Sequence, residues 1–252
     1  MFIKKYTRLF SAVIIALLTF SCEKETTELD SELISDYLPL QVGKYITYRL
    51  DSTVYVSLNT VKEQHSYIVQ DLVDAEITDN QGNPSFRIRR MIRSNTDTTV
   101  WTDNETYVIT PKDKSVEWVE NNLRFIKLME PIRDNFTWKG NSYINSYSNP
   151  DLQYLDNWEY VYQNVGQPYT IATVTLPETI TIDQRNETLG DPTNKDFYYE
   201  INESKEVFAK GIGLVYKRFL HEAWQPPNIT SPSGYYEPNS YGIELTLLNH
   251  NY

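Results

Sequence analysis

The sequence predicts an all-β fold: a single antiparallel β domain, built as a sandwich or as an open or half barrel. Three observations carry this expectation. From Tyr45 onward, apolar and polar residues alternate with period two, the pattern of strands with one buried face. The alternating runs are rich in β-branched and aromatic residues, with 20 Tyr, 9 Phe and 5 Trp in 252 residues, and such side chains suit a pleated, half-buried surface. No window of twelve or more residues shows a clear helical period, which disfavours crossover helices and parallel α/β architectures.

The chain opens with Lys4, Lys5 and Arg8, runs through the apolar stretch Leu9 to Phe20, and reaches the small residue Ser21 just before Cys22. Basic, apolar and small in that order is a secretion signal. As a helix the apolar stretch would be about 18 Å long, at roughly 1.5 Å per residue, too short for a hydrocarbon core of roughly 30 Å. Cys22 is the only cysteine. The segment "LTFSC" resembles a bacterial lipoprotein box, in the looser form of Bacteroidota lipoproteins, with Thr19 where Leu is commonest and Leu18 one place early. The resemblance implies cleavage after Ser21, a diacylglyceryl group on the Cys22 thiol and a third acyl chain on the freed amine. One chain holds a protein only marginally at a membrane, whereas two or three hold it firmly. Residues 1–21 are therefore expected to be a lipoprotein signal peptide, with Cys22 as the lipid-attachment residue and the membrane as a partner.

Residues 22–35 follow as the lipidated cysteine and a charged, Thr- and Ser-rich flexible tether. Residues 36–252 make up the β domain. A glutamate after the cysteine resembles the sorting signal of outer-membrane lipoproteins, with the periplasmic and cell-surface faces both open. Losing the leader removes three cations and no acid, so the formal charge moves from −11 to −14. A surface this acidic repels phosphate backbones, and nucleic acid is not expected as a partner. A mature chain of this size buries roughly 70% of its unfolded surface and needs no disulfide or metal staple.

Along the domain, "SFRIRRMIR" (85–93) places Phe86, Ile88 and Ile92 on one face and Arg87, Arg89, Met91 and Arg93 on the other. The arginines at 87, 89, 90 and 93 read as a solvent-facing flank paired with neighbouring acids. "TDNQGNP" (78–84) is a turn in which Gly82 supplies a positive φ. Four strands are expected between 98 and 128, in "TTVWTD", "TYVIT", "SVEWV" and "LRFIKL". In "TITID" (179–183), Ile180 and Ile182 face one way and Thr179, Thr181 and Asp183 the other. Further strands are expected near 143–147, 156–165, 169–176, 196–202, 212–221 and 241–249, short helical pieces near 29–36 and 203–209, and a long proline-rich loop over 222–240.

Two further segments resemble those of uncharacterised Bacteroidota outer-membrane lipoproteins. "YLPLQVGKYITYRLDS" (37–52) is similar to their opening, and "EVFAKGIGLVYKRF" (206–219) to a segment near their C-terminus. The resemblance implies an exported β-rich lipoprotein and assigns no catalytic residue.

Motifs for chemistry are sparse. His65, His221 and His250 lack metal-ligand spacing, and no nucleophile elbow or phosphate loop is present. Catalytic residues, metal and cofactors are expected to be absent. Trp224, Tyr235 and Tyr236 are candidate ligand-binding residues, as an aromatic platform for sugar rings. The sequence thus points to a non-enzymatic, membrane-anchored lipoprotein with a ligand-binding or envelope-assembly role, whose partner is a glycan, an apolar ligand or an envelope protein. The alternatives are a half-barrel carrier of an apolar ligand and a glycan-active enzyme using two carboxylates.

Overall fold

A computed structural model describes residues 32–96 and 100–252, and within them thirteen strands form one antiparallel sheet curled into a nearly closed barrel. The expected leader, Cys22 and the expected tether as far as Ser31 lie outside the described residues. Strands β1 (Tyr45–Val56), β2 (Val61–Thr78), β3 (Pro84–Ser94), β4 (Thr102–Pro111), β5 (Ser115–Glu120) and β6 (Leu123–Met129) pair in succession. So do β7 (Thr137–Trp138), β8 (Tyr160–Ile171), β9 (Val174–Leu189), β10 (Tyr199–Ala209) and β11 (Gly213–Gln225). The two-residue β12 (Tyr235–Tyr236) adds to β11, which also pairs with β13 (Tyr241–His250). The halves join where the first strand meets the last, from Ile46 opposite His250 to Thr53 opposite Gly242.

The gap in the barrel falls between β6 and β7, and the chain that crosses there largely bridges it. The Ile126 amide donates to the Gly140 carbonyl at 2.8 Å, and the Trp138 indole donates to the Ile126 carbonyl at 2.8 Å. The Tyr162 hydroxyl accepts from the Met129 amide and donates to the Met129 carbonyl. Gly140 is needed at this seam, because a Cβ there would lie 2.3 Å from the Tyr160 ring.

The main core fills the lumen with Tyr48, Val69, Ile88, Leu128, Tyr162, Ile180, Ile182, Phe208 and Leu245. Each such side chain contributes about 1.5–3 kcal/mol by leaving water. A short helix, α1 (Ile34–Tyr37), plugs one end: Ile34 and Tyr37 are buried, and the Asp36 carbonyl accepts from the Gly211 amide. Glu32 bridges Ile132, so the folded body takes in the last four residues of the stretch 22–35. A 3₁₀ turn (Pro150–Leu155), capped by Asn149, covers the other end and sends Leu155 and Tyr154 toward β11. The β8–β9 hairpin bends where Asn164 and Gly166 take positive φ. It lays Ile171 and Leu176 over the outer face of Val207, Ala209 and Val215.

Several expectations change. Between 98 and 128 there are three strands rather than four, because β4 runs straight through Asn104 and Glu105. That polar pair reads as a turn, yet Glu105 is polar because it meets Arg90 on the paired strand. Residues 143–147 are the end of a turn and irregular chain rather than a strand, with local backbone bonds such as the Ile144 amide to the Asn141 carbonyl. Residues 203–209 are strand rather than helix: pairing to both β9 and β11 overrides a modest local helix preference. The loop expected over 222–240 is interrupted by the end of β11 and by β12. The 169–176 segment contains a chain reversal at Ala172 and Thr173. The turn at 78–84 forms as expected, with Gly82 at φ +86° and the Asp79 carboxylate accepting from the Gln81 and Asn83 amides.

Candidate functional site

Inward-facing positions on neighbouring strands do not all carry apolar side chains. On β3, Arg87 and Arg89 point outward and pair with Asp74 and Asp103, as the alternation requires. Arg90 departs from the expected solvent-facing flank, since alternation puts it on the same face as Phe86 and Ile88 and its side chain points into the barrel, where it is 8% exposed. Its guanidinium donates two bonds of 2.6 Å to Asp71 on β2 and a third to Glu105 on β4. Tyr107 donates to the same Asp71 carboxylate at 2.9 Å. A bidentate pair with its remaining lone pairs filled is the arrangement that lets a buried charge persist.

A second network lies across the lumen. Lys127 on β6 donates to Glu206 on β10 at 2.6 Å, and both side chains are at most 5% exposed. Lys217 on β11 stands 3.2 Å from Glu120 and 3.9 Å from Glu206. Burial alone would raise the Glu120 carboxyl, but Lys217, Lys127 and Arg90 outweigh it and bring its pKa down to about 2. Glu120 is therefore ionised throughout the physiological range.

Between the two networks lies a cavity of about 210 Å³. Arg90, Lys127, Lys217, Glu105, Glu120, Gln184 and Ser204 give it a polar wall, and Phe125, Trp158, Tyr160, Phe219 and Tyr241 an aromatic one. The exposed Asn104 and Asn121 stand at its rim. Asn121 and Asn122 both take positive φ in the tight β5–β6 turn, which aligns Glu120 with the lumen. Two buried polar atoms close to this space, Gln184 Nε2 and Glu206 Oε2, have no hydrogen-bond partner. A buried polar atom left in that state costs about 1–3 kcal/mol, more if it is charged.

The aromatic residues singled out from the sequence occupy a different place, on the outer face near the 3₁₀ end. Trp224 on β11 pairs directly with Tyr236 on β12, and both are buried, whereas Tyr235 is half-buried beside Gln225. The Lys195 ammonium lies over the Trp224 and Tyr236 rings. Gly234, at φ +65°, packs so closely that a Cβ would lie 2.4 Å from the Trp224 ring. The loop is thus pinned by its own aromatics, and Lys195 covers the faces on which a sugar would stack.

Of the histidines, His65 is half-buried beside Glu63. His221 is buried, stacked on Tyr154 at 3.9 Å, and burial lowers its pKa. Among the described residues no group of three or more His, Cys, Asp or Glu stands within reach of one metal ion. An apolar groove of about 410 Å³ runs outside the lumen, between α1 and the β4–β5 turn. Sequence reasoning missed the lumen networks, whose only local sign was an Arg90 that falls on the apolar face of β3. Comparison with known proteins finds no match to a family model, to a curated protein or to a solved structure.

Proposed function

We propose that the mature chain is a non-enzymatic lipoprotein of the outer membrane, anchored through Cys22, whose barrel binds one small polar ligand in its lumen. The observation that carries this reading is the cavity between two buried ion networks, with Gln184 Nε2 left unsatisfied at its wall. A cavity of about 210 Å³ lies between the ~150 Å³ that holds benzene and the roughly 300–1,000 Å³ of sites for drug-sized ligands. That is room for one sugar ring or one amino acid. Trp158, Tyr160 and Phe219 offer faces to C–H groups, while Lys217, Glu120 and Gln184 offer donors and acceptors to hydroxyls.

The apolar-carrier alternative is disfavoured by the buried charges in the lumen, which an acyl chain would leave without compensation. The carboxylate-enzyme alternative needs a protonated acid beside the scissile bond. Glu120, the carboxylate nearest Lys217 in the cavity wall, is held ionised and does not supply one. The paired charges on the outer face, such as Arg218 with Glu203, favour a barrel wall that faces water, with the membrane reached through the lipid.

The test is a thermal-shift screen of the mature protein against monosaccharides, amino acids and short fatty acids, beside Ser204→Phe, which fills the cavity, and the milder Gln184→Leu. A saturable rise with a sugar or amino acid, weakened in both variants, is the expected result. A response to fatty acids alone, or equal responses in all three proteins, would overturn the lumen reading. Fractionation of a Cys22→Ala protein tests the anchor separately: retention in the membrane fraction would overturn that part.

A further inference from the structure

The register of three neighbouring strands brings three rings to one level of the sheet. Tyr199 on β10 stands opposite Trp224 on β11, and Trp224 stands opposite Tyr236 on β12. The Trp224 and Tyr236 planes meet at 67°, with centroids 4.9 Å apart, so they form a corner rather than a stack. Into that corner projects the Lys195 ammonium, 4.4, 4.5 and 4.7 Å from the centroids of Tyr199, Trp224 and Tyr236. Cations held over ring faces at such distances gain from the ring quadrupole, and cages of this kind recognise ammonium ligands.

The polar half of the site adds directionality. The Tyr199 hydroxyl donates to Glu222 Oε1 at 2.7 Å, so its oxygen is left to accept from Lys195. Tyr236 accepts from the same ammonium at 3.1 Å. Glu222 itself is 5% exposed and also receives bonds from Tyr55 and Lys62. Burial would raise its carboxyl, but the bonds from Lys62, Tyr55 and Tyr199 prevail and lower its pKa. A relay from ammonium to phenol to buried carboxylate is a receptor for an N–H donor cation.

Lys195 reaches the site from solvent. It is an exposed residue of the β9–β10 loop, and among the described residues no carboxylate forms an ion pair with it, although the chain is strongly acidic. Its backbone carbonyl, not its side chain, ties the loop down by accepting from the Trp224 indole at 3.0 Å. The side chain can therefore leave while the loop stays attached. Leu189 at the end of β9 and Phe197 on the connection itself are 60% and 66% exposed, so the loop carries apolar surface open to water.

We propose that Tyr199, Trp224 and Tyr236, backed by Glu222, are a binding site for a primary alkylammonium group, with Lys195 as its built-in occupant. The site is separate from the lumen and does not depend on the ligand proposed there. Lys195 acts as a tethered competitor at high effective concentration, and a ligand binds by displacing it.

The experiment titrates n-butylammonium chloride into the mature protein at constant ionic strength, reading tryptophan fluorescence and binding heat, with tetramethylammonium as the comparison cation. Lys195→Ala empties the corner, Lys195→Met keeps it filled without charge, and Lys195→Ala with Tyr236→Phe removes one acceptor. Lys195→Ala is expected to bind n-butylammonium at least about 10-fold more tightly than the native protein, as loss of a tethered competitor requires. Lys195→Met should not bind, the double variant should bind more weakly than Lys195→Ala, and tetramethylammonium should bind less well. No saturable binding to a folded Lys195→Ala protein, or equal binding of both cations to all four proteins, would overturn the proposal.

Discussion

Glu120 offers the sharpest test of the lumen electrostatics. It lines the cavity with its side chain 17% exposed, 3.2 Å from Lys217, and its pKa falls from 4.5 to about 2. A fall of that size corresponds to about 3 kcal/mol, at about 1.4 kcal/mol for each tenfold change in the proton equilibrium. Because the folded value lies below the unfolded one, the stabilisation is complete above the unfolded value of 4.5 and is lost as pH drops through about 2. Glu120→Gln removes the titration and leaves Lys217 with Glu206 at 3.9 Å. Urea unfolding followed by tryptophan fluorescence should put the native protein about 3 kcal/mol above Glu120→Gln near pH 7 and only about 1.5 kcal/mol above it near pH 3. A gap below about 0.5 kcal/mol near neutrality, or one that does not change with pH, would refute the assignment of Lys217, Lys127 and Arg90 as the groups that hold this carboxylate ionised.

Adjacent arginines on β3 should behave oppositely. Arg90→Met strands the buried Asp71 carboxylate and is expected to cost about 3–5 kcal/mol in urea unfolding, whereas Arg89→Ala, which frees an exposed Asp103, should unfold with the native protein. Gly140→Ala should lower Tm by roughly 2–12 °C, from about 1–3 kcal/mol of overpacking against Tyr160 at the barrel seam, as read by calorimetry. Phe208→Ala, at a fully buried lumen position, should cost about 3–5 kcal/mol in the same urea assay.

Much of the strand inventory was legible because alternation is a local property. A strand with one wet face records that face in its own sequence, and Arg87, Arg89, Ile180 and Ile182 stand on the faces their spacing predicts. Turn chemistry was legible for the same reason: Asp79 and Gly82 satisfy the 78–84 turn within a few residues. At the site, Trp224 and Tyr236 could be singled out as aromatics beside a proline-rich connection. Lys195, which gives them their chemistry, could not, since it lies on another loop 29 residues from Trp224.

What the sequence by itself determined was an antiparallel β domain whose residues alternate between two faces. It did not determine which strands close the ring, or what fills the space they enclose. β1 meets β13 across nearly the whole domain and joins the two halves of the sheet, while the seam contacts of Ile126 with Gly140 and of Met129 with Tyr162 bring its two edges together; the choice between sandwich and barrel is made by those pairings between separate strands. The same holds for the lumen. Alternation places Arg90 on the inner face of β3, but whether an inward arginine is tolerated depends on Asp71 and Glu105, 19 and 15 residues away. Lys217 meets Glu120 across 97 residues, and the Lys127–Glu206 pair spans 79. Burying a charge is favourable only when its partner arrives at the same place, and that meeting is a property of the closed sheet and not of any strand within it.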